Sequence, residues 1–169
     1  MGEQHMDQEL IEIEMGIPRK AEYPDILYSG GVGPCITVGL WHPSQRVGYM
    51  IHDHDLDTGL PALLTDVERE CKNLSDMQVC AVGASLYVDL PDTKEDMQEM
   101  LKGSKDFVEK TLADKFSKIQ FHWLEPGHEA ELYLDTMMGK FLLKVYDSRS
   151  NPNEAAEQTL DFNFKERRD

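Results

Sequence analysis

The chain has 169 residues, 40% of them hydrophobic and 29% charged, which suffices for one well-buried core and does not call for a second full domain. Its formal net charge of −15 repels phosphate backbones and anionic lipid, so neither nucleic acid nor a membrane is expected as a partner. The three cysteines, Cys35, Cys71 and Cys80, include no CxxC pair and no disulfide framework, and no apolar run is long enough to span a bilayer; a reducing cytoplasm is the expected compartment.

Residues 1–24 read as a polar lead-in, in which Ile11-Glu-Ile13 is a candidate short strand. The acidic start has no basic region followed by an apolar core, so no signal peptide is expected. Met6 stands where myristoylation needs Ser or Thr. The body begins near Asp25, and residues 25–146 are taken as one domain. Ile26 to Ser29 is a short apolar strand. Gly30, Gly31 and Gly33 allow tight backbone turns, and Pro34 stiffens the chain just before Cys35.

Residues 35–41 alternate as a strand, with Cys35, Thr37, Gly39 and Trp41 on one face. His42-Pro-Ser-Gln45 is a turn and Val47 to His52 the returning strand, so the pair reads as a β-hairpin. Pro61 to Leu74 is expected as a helix, from Leu63, Leu64, Val67, Cys71 and Leu74 at helical spacing. Met77 to Val88 is a buried strand with its following turn. Asp92 or Thr93 caps a short helix that Gly103 ends; Ser104 caps another, carrying Phe107, Val108, Thr111, Leu112 and Phe116. Strands at 118–124, 129–134 and 140–146 follow, joined by turns at Pro126-Gly127 and Met138-Gly139. Residues 147–169 read as a polar, loosely attached tail with room for one short element. Strands flank a central helical block and do not alternate with helices. The expected class is therefore α+β, a sandwich of mixed or antiparallel strands flanked by helices.

The chemistry-bearing spacing is Cys35 and His52, a thiol opening one strand and an imidazole closing the next. An imidazole can take the thiol's proton, and the thiolate can attack an amide carbon. Glycine-rich backbone before Cys35 can supply oxyanion donors, and the protonated imidazole can protonate the departing amine. Ser29, at the end of the preceding strand, can orient the imidazole. By spacing alone the bland alternatives stay open: a core cysteine, and a surface or capping histidine. His42 is a competing base, disfavoured because strand alternation turns it away from the Cys35 face. His52 and His54, with Asp53, Asp55 and Asp57 nearby, offer a metal reading, but no further ligand cluster accompanies them.

The segment from Ser29 through Gly33-Pro34-Cys35 to Val47-Gly-Tyr-Met-Ile-His52 resembles the chemoreceptor glutamine deamidase family, the CheD family. That family has a Thr, a Gly-rich turn ending in Gly-Ser-Cys, a hydrophobic strand, a polar turn, and a strand ending in His at the same Cys-to-His separation. Val79-Cys-Ala-Val-Gly-Ala-Ser85, the helix at 104–116 and Ala130-Glu-Leu-Tyr-Leu-Asp-Thr-Met-Met-Gly-Lys-Phe-Leu extend the likeness along residues 25–146. The resemblance implies a CheD-like α/β sandwich and a Cys-His-Thr hydrolytic site for glutamine side-chain amides, here Cys35, His52 and Ser29. Three positions depart from the pattern. Pro34 replaces a Ser and removes an N–H beside the nucleophile. Asp53-His-Asp-Leu-Asp57 replaces an apolar continuation with an acidic rim. The glycine-rich approach to the closing hairpin is reduced to Gly127-His128.

The expected function is thiol-dependent hydrolysis of side-chain carboxamides in proteins, a glutamine or asparagine deamidase, with chemoreceptors as one candidate substrate. The partner is then a protein with an exposed Gln or Asn, with room for a regulatory protein partner, and no cofactor or metal is called for. The alternative is a non-catalytic adaptor that keeps the fold and binds a protein.

Overall fold

A computed structural model describes residues 7–87, 94–150 and 152–162. Its strands are β1 (Leu10–Glu12), β2 (Arg19–Glu22), β3 (Ile26–Val32), β4 (Ile36–His42), β5 (Val47–Asp53), β6 (Gln78–Gly83), β7 (Lys118–Trp123), β8 (His128–Asp135), β9 (Lys140–Asp147) and β10 (Ala156–Thr159). The helices are α1 (Gly59–Glu70) and α2 (Lys94–Ala113). Two five-stranded sheets form, in the orders β1-β3-β8-β9-β10 and β2-β5-β4-β6-β7. Most pairs are antiparallel; β1 with β3 and β6 with β7 are parallel. The class is α+β.

Two cores divide the molecule into layers. Leu27, Ala130, Leu132, Leu134, Phe141 and Leu143 of the first sheet pack against Trp41, Met50, Cys80 and Val82 of the second. The opposite face of the second sheet, with Val38, Leu40, Tyr49, Ile51, Val79 and Ala81, carries Leu60, Leu64 and Val67 of α1 and Leu101, Val108 and Leu112 of α2. The second sheet is thus covered on both sides, and every residue of β4 is buried. The outer face of the first sheet is only partly shielded, by a layer that includes the stacked rings of Tyr28 and Tyr133 (centroids 4.7 Å apart).

Several elements differ from expectation. The two short helices are one, α2, running through Gly103. A mid-helix glycine costs only about 1 kcal/mol relative to Ala, and the stripe Leu101, Val108 and Leu112 continues across it. The expected caps Asp92 and Thr93, like Val88, lie outside the described residues. Helix α1 begins at Gly59, with Pro61 in its first turn where no amide partner is needed, and it ends at Glu70, capped by Cys71. Asn73, at φ 58°, separates it from a single 3₁₀ turn at Leu74–Asp76. Strand β3 runs three residues past Ser29, through a register shift between Ser29 and Val32 that Gly31 accommodates at φ +63°.

The segment at 147–169 is not a loose tail over its described part. Strand β10 pairs with β9, and Leu160 and Phe162 are buried in the inter-sheet core. The lead-in likewise supplies β1 beside β3 and β2 beside β5. Among the described residues no helix is long and apolar enough to cross a membrane.

Candidate functional site

The β4–β5 hairpin sets the site. Its register pairs His42 with Val47, Thr37 with His52 and Ile36 with Asp53. Strand alternation turns Thr37 and His52 toward the first sheet, where Ser29 projects inward from β3. Ser29 Oγ lies 3.1 Å from His52 Nδ1 and 2.8 Å from Thr37 Oγ1. All three side chains are buried, so each depends on the others for its hydrogen bonds. His52 Nε2 is buried with no hydrogen-bond partner. Leaving such an atom unpaired costs about 1–3 kcal/mol, a cost that a polar ligand would relieve.

Cys35 precedes β4. One pair beyond Ile36–Asp53 in the register, it faces position 54, and its Sγ lies 3.1 Å from His54 Nδ1. The thiol therefore hydrogen-bonds His54, and not His52 as the spacing suggested. His52 is the diagonal neighbour of Cys35 across the hairpin. Sheet geometry puts such positions about 7–8 Å apart, within reach of long side chains. The two histidines differ in surroundings: His52 is 6% exposed, while His54 stands open at the rim with its backbone N–H donated to Asp53 Oδ1 (2.7 Å).

Electrostatics separate the groups further. Burial, and then the neighbouring His54, hold His52 below the ordinary histidine pKa, against a weaker upward pull from Asp53. Burial, and then the Asp53 carboxylate, push the Cys35 thiol up, while its own backbone N–H works in the opposite direction. The resting thiol is thus protonated at neutral pH and the buried imidazole is uncharged.

Gly83 positions the nucleophile's backbone. It closes β6 at φ +134°, and a Cβ there would overlap the carbonyl oxygen of Cys35 and lie 3.1 Å from its carbon. That close approach lets Ala84 N–H donate to Cys35 O (3.0 Å) and Ser85 N–H to Gly33 O (3.0 Å). Pro34 lines two clefts. One, of about 340 Å³, includes Gly33, Ser85, Tyr87, His128 and Arg149. The other, of about 360 Å³, includes His54, Asp55, Asp57, Met100 and Ser104.

The structure brings Ser29 and His52 into contact and sets Cys35 at the same end of the hairpin. His42 stands at the other end of β4, on the order of 23 Å away at strand rise, and is engaged there by Lys72 O and the Ser44 hydroxyl. Among the described residues no three His, Cys, Asp or Glu side chains converge as metal ligands. Cys71 meets the Tyr49 hydroxyl, and Cys80 is fully buried with its thiol pushed far up by burial. Spacing missed Thr37, Gly83 and the pairing of His54 with the thiol. Alternation already placed Thr37 on the Cys35 face, and continuing the hairpin register would have found His54; Gly83 stood out only as a small residue closing an apolar run, with no sign of its contact with Cys35. No protein-family model matches the sequence, and no curated protein matches it.

Proposed function

We propose that the protein is a thiol-dependent amidohydrolase acting on side-chain carboxamides of glutamine or asparagine in proteins, a CheD-like deamidase. The observation that carries this reading is the buried Ser29–His52 hydrogen bond, which leaves Nε2 of a neutral imidazole unpartnered beside the Cys35 end of the hairpin. The hydroxyl fixes that imidazole through Nδ1, and a second imidazole, His54, stands with its Nδ1 3.1 Å from the Cys35 sulfur, so a proton acceptor lies beside the thiol. Cys35 attacks the carboxamide carbon, an imidazole takes the thiol's proton and returns it to the leaving nitrogen, and water hydrolyses the thioester. The Cys35 amide, whose N–H lowers the pKa of its own thiol, is one candidate oxyanion donor, and Pro34 beside it supplies no N–H. Two clefts adjoin Pro34, the residue before the nucleophile, and His54 lines the second of them.

The test is ammonia release from glutamine-containing protein substrates by the native protein and by Cys35→Ala. Release that depends on Cys35 supports the reading; equal release from the variant removes it.

The second reading is a non-catalytic adaptor with a CheD-like fold that binds a protein partner. One observation favours it: the resting thiol is raised in pKa, where an activated cysteine is usually depressed. Alkylation separates the two. A catalytic Cys35 labels much faster than Cys71 and Cys80 near neutral pH, and an adaptor's does not.

A further inference from the structure

Spacing and resemblance both assign the proton chemistry to His52. The geometry points to a different division of labour: His54 is the catalytic base and acid that exchanges the proton with Cys35, while His52 stays neutral throughout and offers Nε2 to a polar group of the substrate. This rests on the thiol-dependent reading above and deepens it.

Three observations carry it. The hydrogen bond of the Cys35 sulfur runs to His54 Nδ1 at 3.1 Å, already at proton-transfer distance. His52 is engaged elsewhere, through Nδ1 to Ser29. The two imidazoles also differ in what becoming a cation costs. His52 is buried, and an added charge there has no solvent and no carboxylate bonded to it. His54 is exposed, so its cation keeps much of its hydration. The charged and titratable groups around His54 are Cys35, His52, Asp53, Asp55 and Asp57; the α2 wall of its cleft adds Met100, Leu101, Gly103 and Ser104, none of them titratable. Burial and the Asp53 carboxylate disfavour a free thiolate at Cys35. A thiolate at Cys35 therefore forms together with the His54 cation as a pair.

The step balances. His54 Nδ1 takes the thiol proton as sulfur bonds to the carboxamide carbon, and the carbonyl π pair moves to oxygen. The C–N bond then breaks with its electron pair on nitrogen, which takes the proton from His54 and leaves as ammonia. Water next attacks the thioester while His54 accepts its proton. The C–S bond breaks with its pair on sulfur, and the proton returns there as the carboxylic acid departs.

The experiment is iodoacetamide alkylation of the full chain near neutral pH, with Cys35 followed by peptide mapping, in the native protein, His54→Gln and His52→Gln. Far-UV circular dichroism confirms that each variant is folded; Ser29→Ala, which frees His52 without removing it, replaces His52→Gln if that variant does not fold. His54→Gln is expected to slow Cys35 labelling roughly tenfold or more, while loosening or removing His52 leaves it within about threefold. Labelling of His54→Gln within about threefold of native, or an equal loss on perturbing His52, overturns the assignment. Ammonia release is a separate readout: its absence in the native protein removes the deamidase reading and leaves the labelling contrast to be judged alone.

Discussion

Replacing Gly83 with Ala tests whether one backbone contact holds the nucleophile in place. The added methyl would enter the Cys35 carbonyl, and φ +134° is a conformation that a residue with a Cβ rarely adopts. Backbone strain of this kind costs about 1–3 kcal/mol. Moving a packed backbone away from the methyl adds about 1–3 kcal/mol more. Losing the Ala84–Cys35 hydrogen bond adds about 1 kcal/mol. Some of these costs replace one another as the chain shifts, so about 3–5 kcal/mol is expected, a large share of the roughly 5–15 kcal/mol that holds a domain folded. Urea unfolding reads the loss as a lower midpoint with an unchanged slope. Alkylation of Cys35 on the same sample reads the displaced thiol. A loss under about 1 kcal/mol with native labelling at Cys35 would show that the strand end yields freely, and that Gly83 does not position it.

Ser29→Ala leaves His52 Nδ1 and the Thr37 hydroxyl without their shared partner; we expect about 1–2 kcal/mol of lost stability and a rate of ammonia release lower by about 10- to 100-fold, and native turnover would argue that Ser29 orients nothing. Burial holds His52 and His122 below the ordinary value of 6.5, so their neutral forms are favoured by folding. The unfolded chain then takes up protons more readily, and their contribution is present above about 6.5 and lost as the pH falls from there toward the folded pKa values. The urea midpoint should fall between about pH 7.5 and 5.5, and fall less in His52→Gln; an identical drop in both would show that His52 is not linked to folding. Phe162→Ala removes a ring that sits 5.9 Å from Phe141 in the inter-sheet core; a cost of about 3 kcal/mol is expected in urea unfolding, and under about 1 kcal/mol would mean that β10 is not anchored there.

The elements legible in the sequence were those with a buried stripe or a clean turn. The β4–β5 hairpin showed through its apolar strands around Pro43 and Ser44, and β8 through the alternation of Ala130, Leu132 and Leu134. Edge strands did not announce themselves. Strand β10 is exposed at every position and β2 buries only Ala21, so neither carries a hydrophobic period; tertiary pairing with β9 and β5 makes them strands. Gly103 looked like a helix stop because its local preference is unfavourable, and the continuous stripe of α2 outweighs that preference.

The same limits shaped the site. Ser29 could be placed with His52 because it lies six residues before Cys35 at the end of an apolar stretch and falls where the resembled family has its Thr. The partner of the thiol depended on register. Ending the returning strand at His52 stopped two residues short of the position opposite Cys35, and that two-residue difference in register decides which imidazole the sulfur meets. The need for glycine at position 83 arises from β6 lying beside Cys35, a contact 48 residues apart in the chain that no local pattern encodes.

The most direct test of the central claim is to incubate a protein extract with the native chain and with Cys35→Ala, then map conversion of Gln to Glu and Asn to Asp by mass spectrometry. Thiol-dependent deamidation requires specific sites that convert with the native chain and stay unconverted with Cys35→Ala. Conversion at the same sites by both proteins, or by neither, contradicts it.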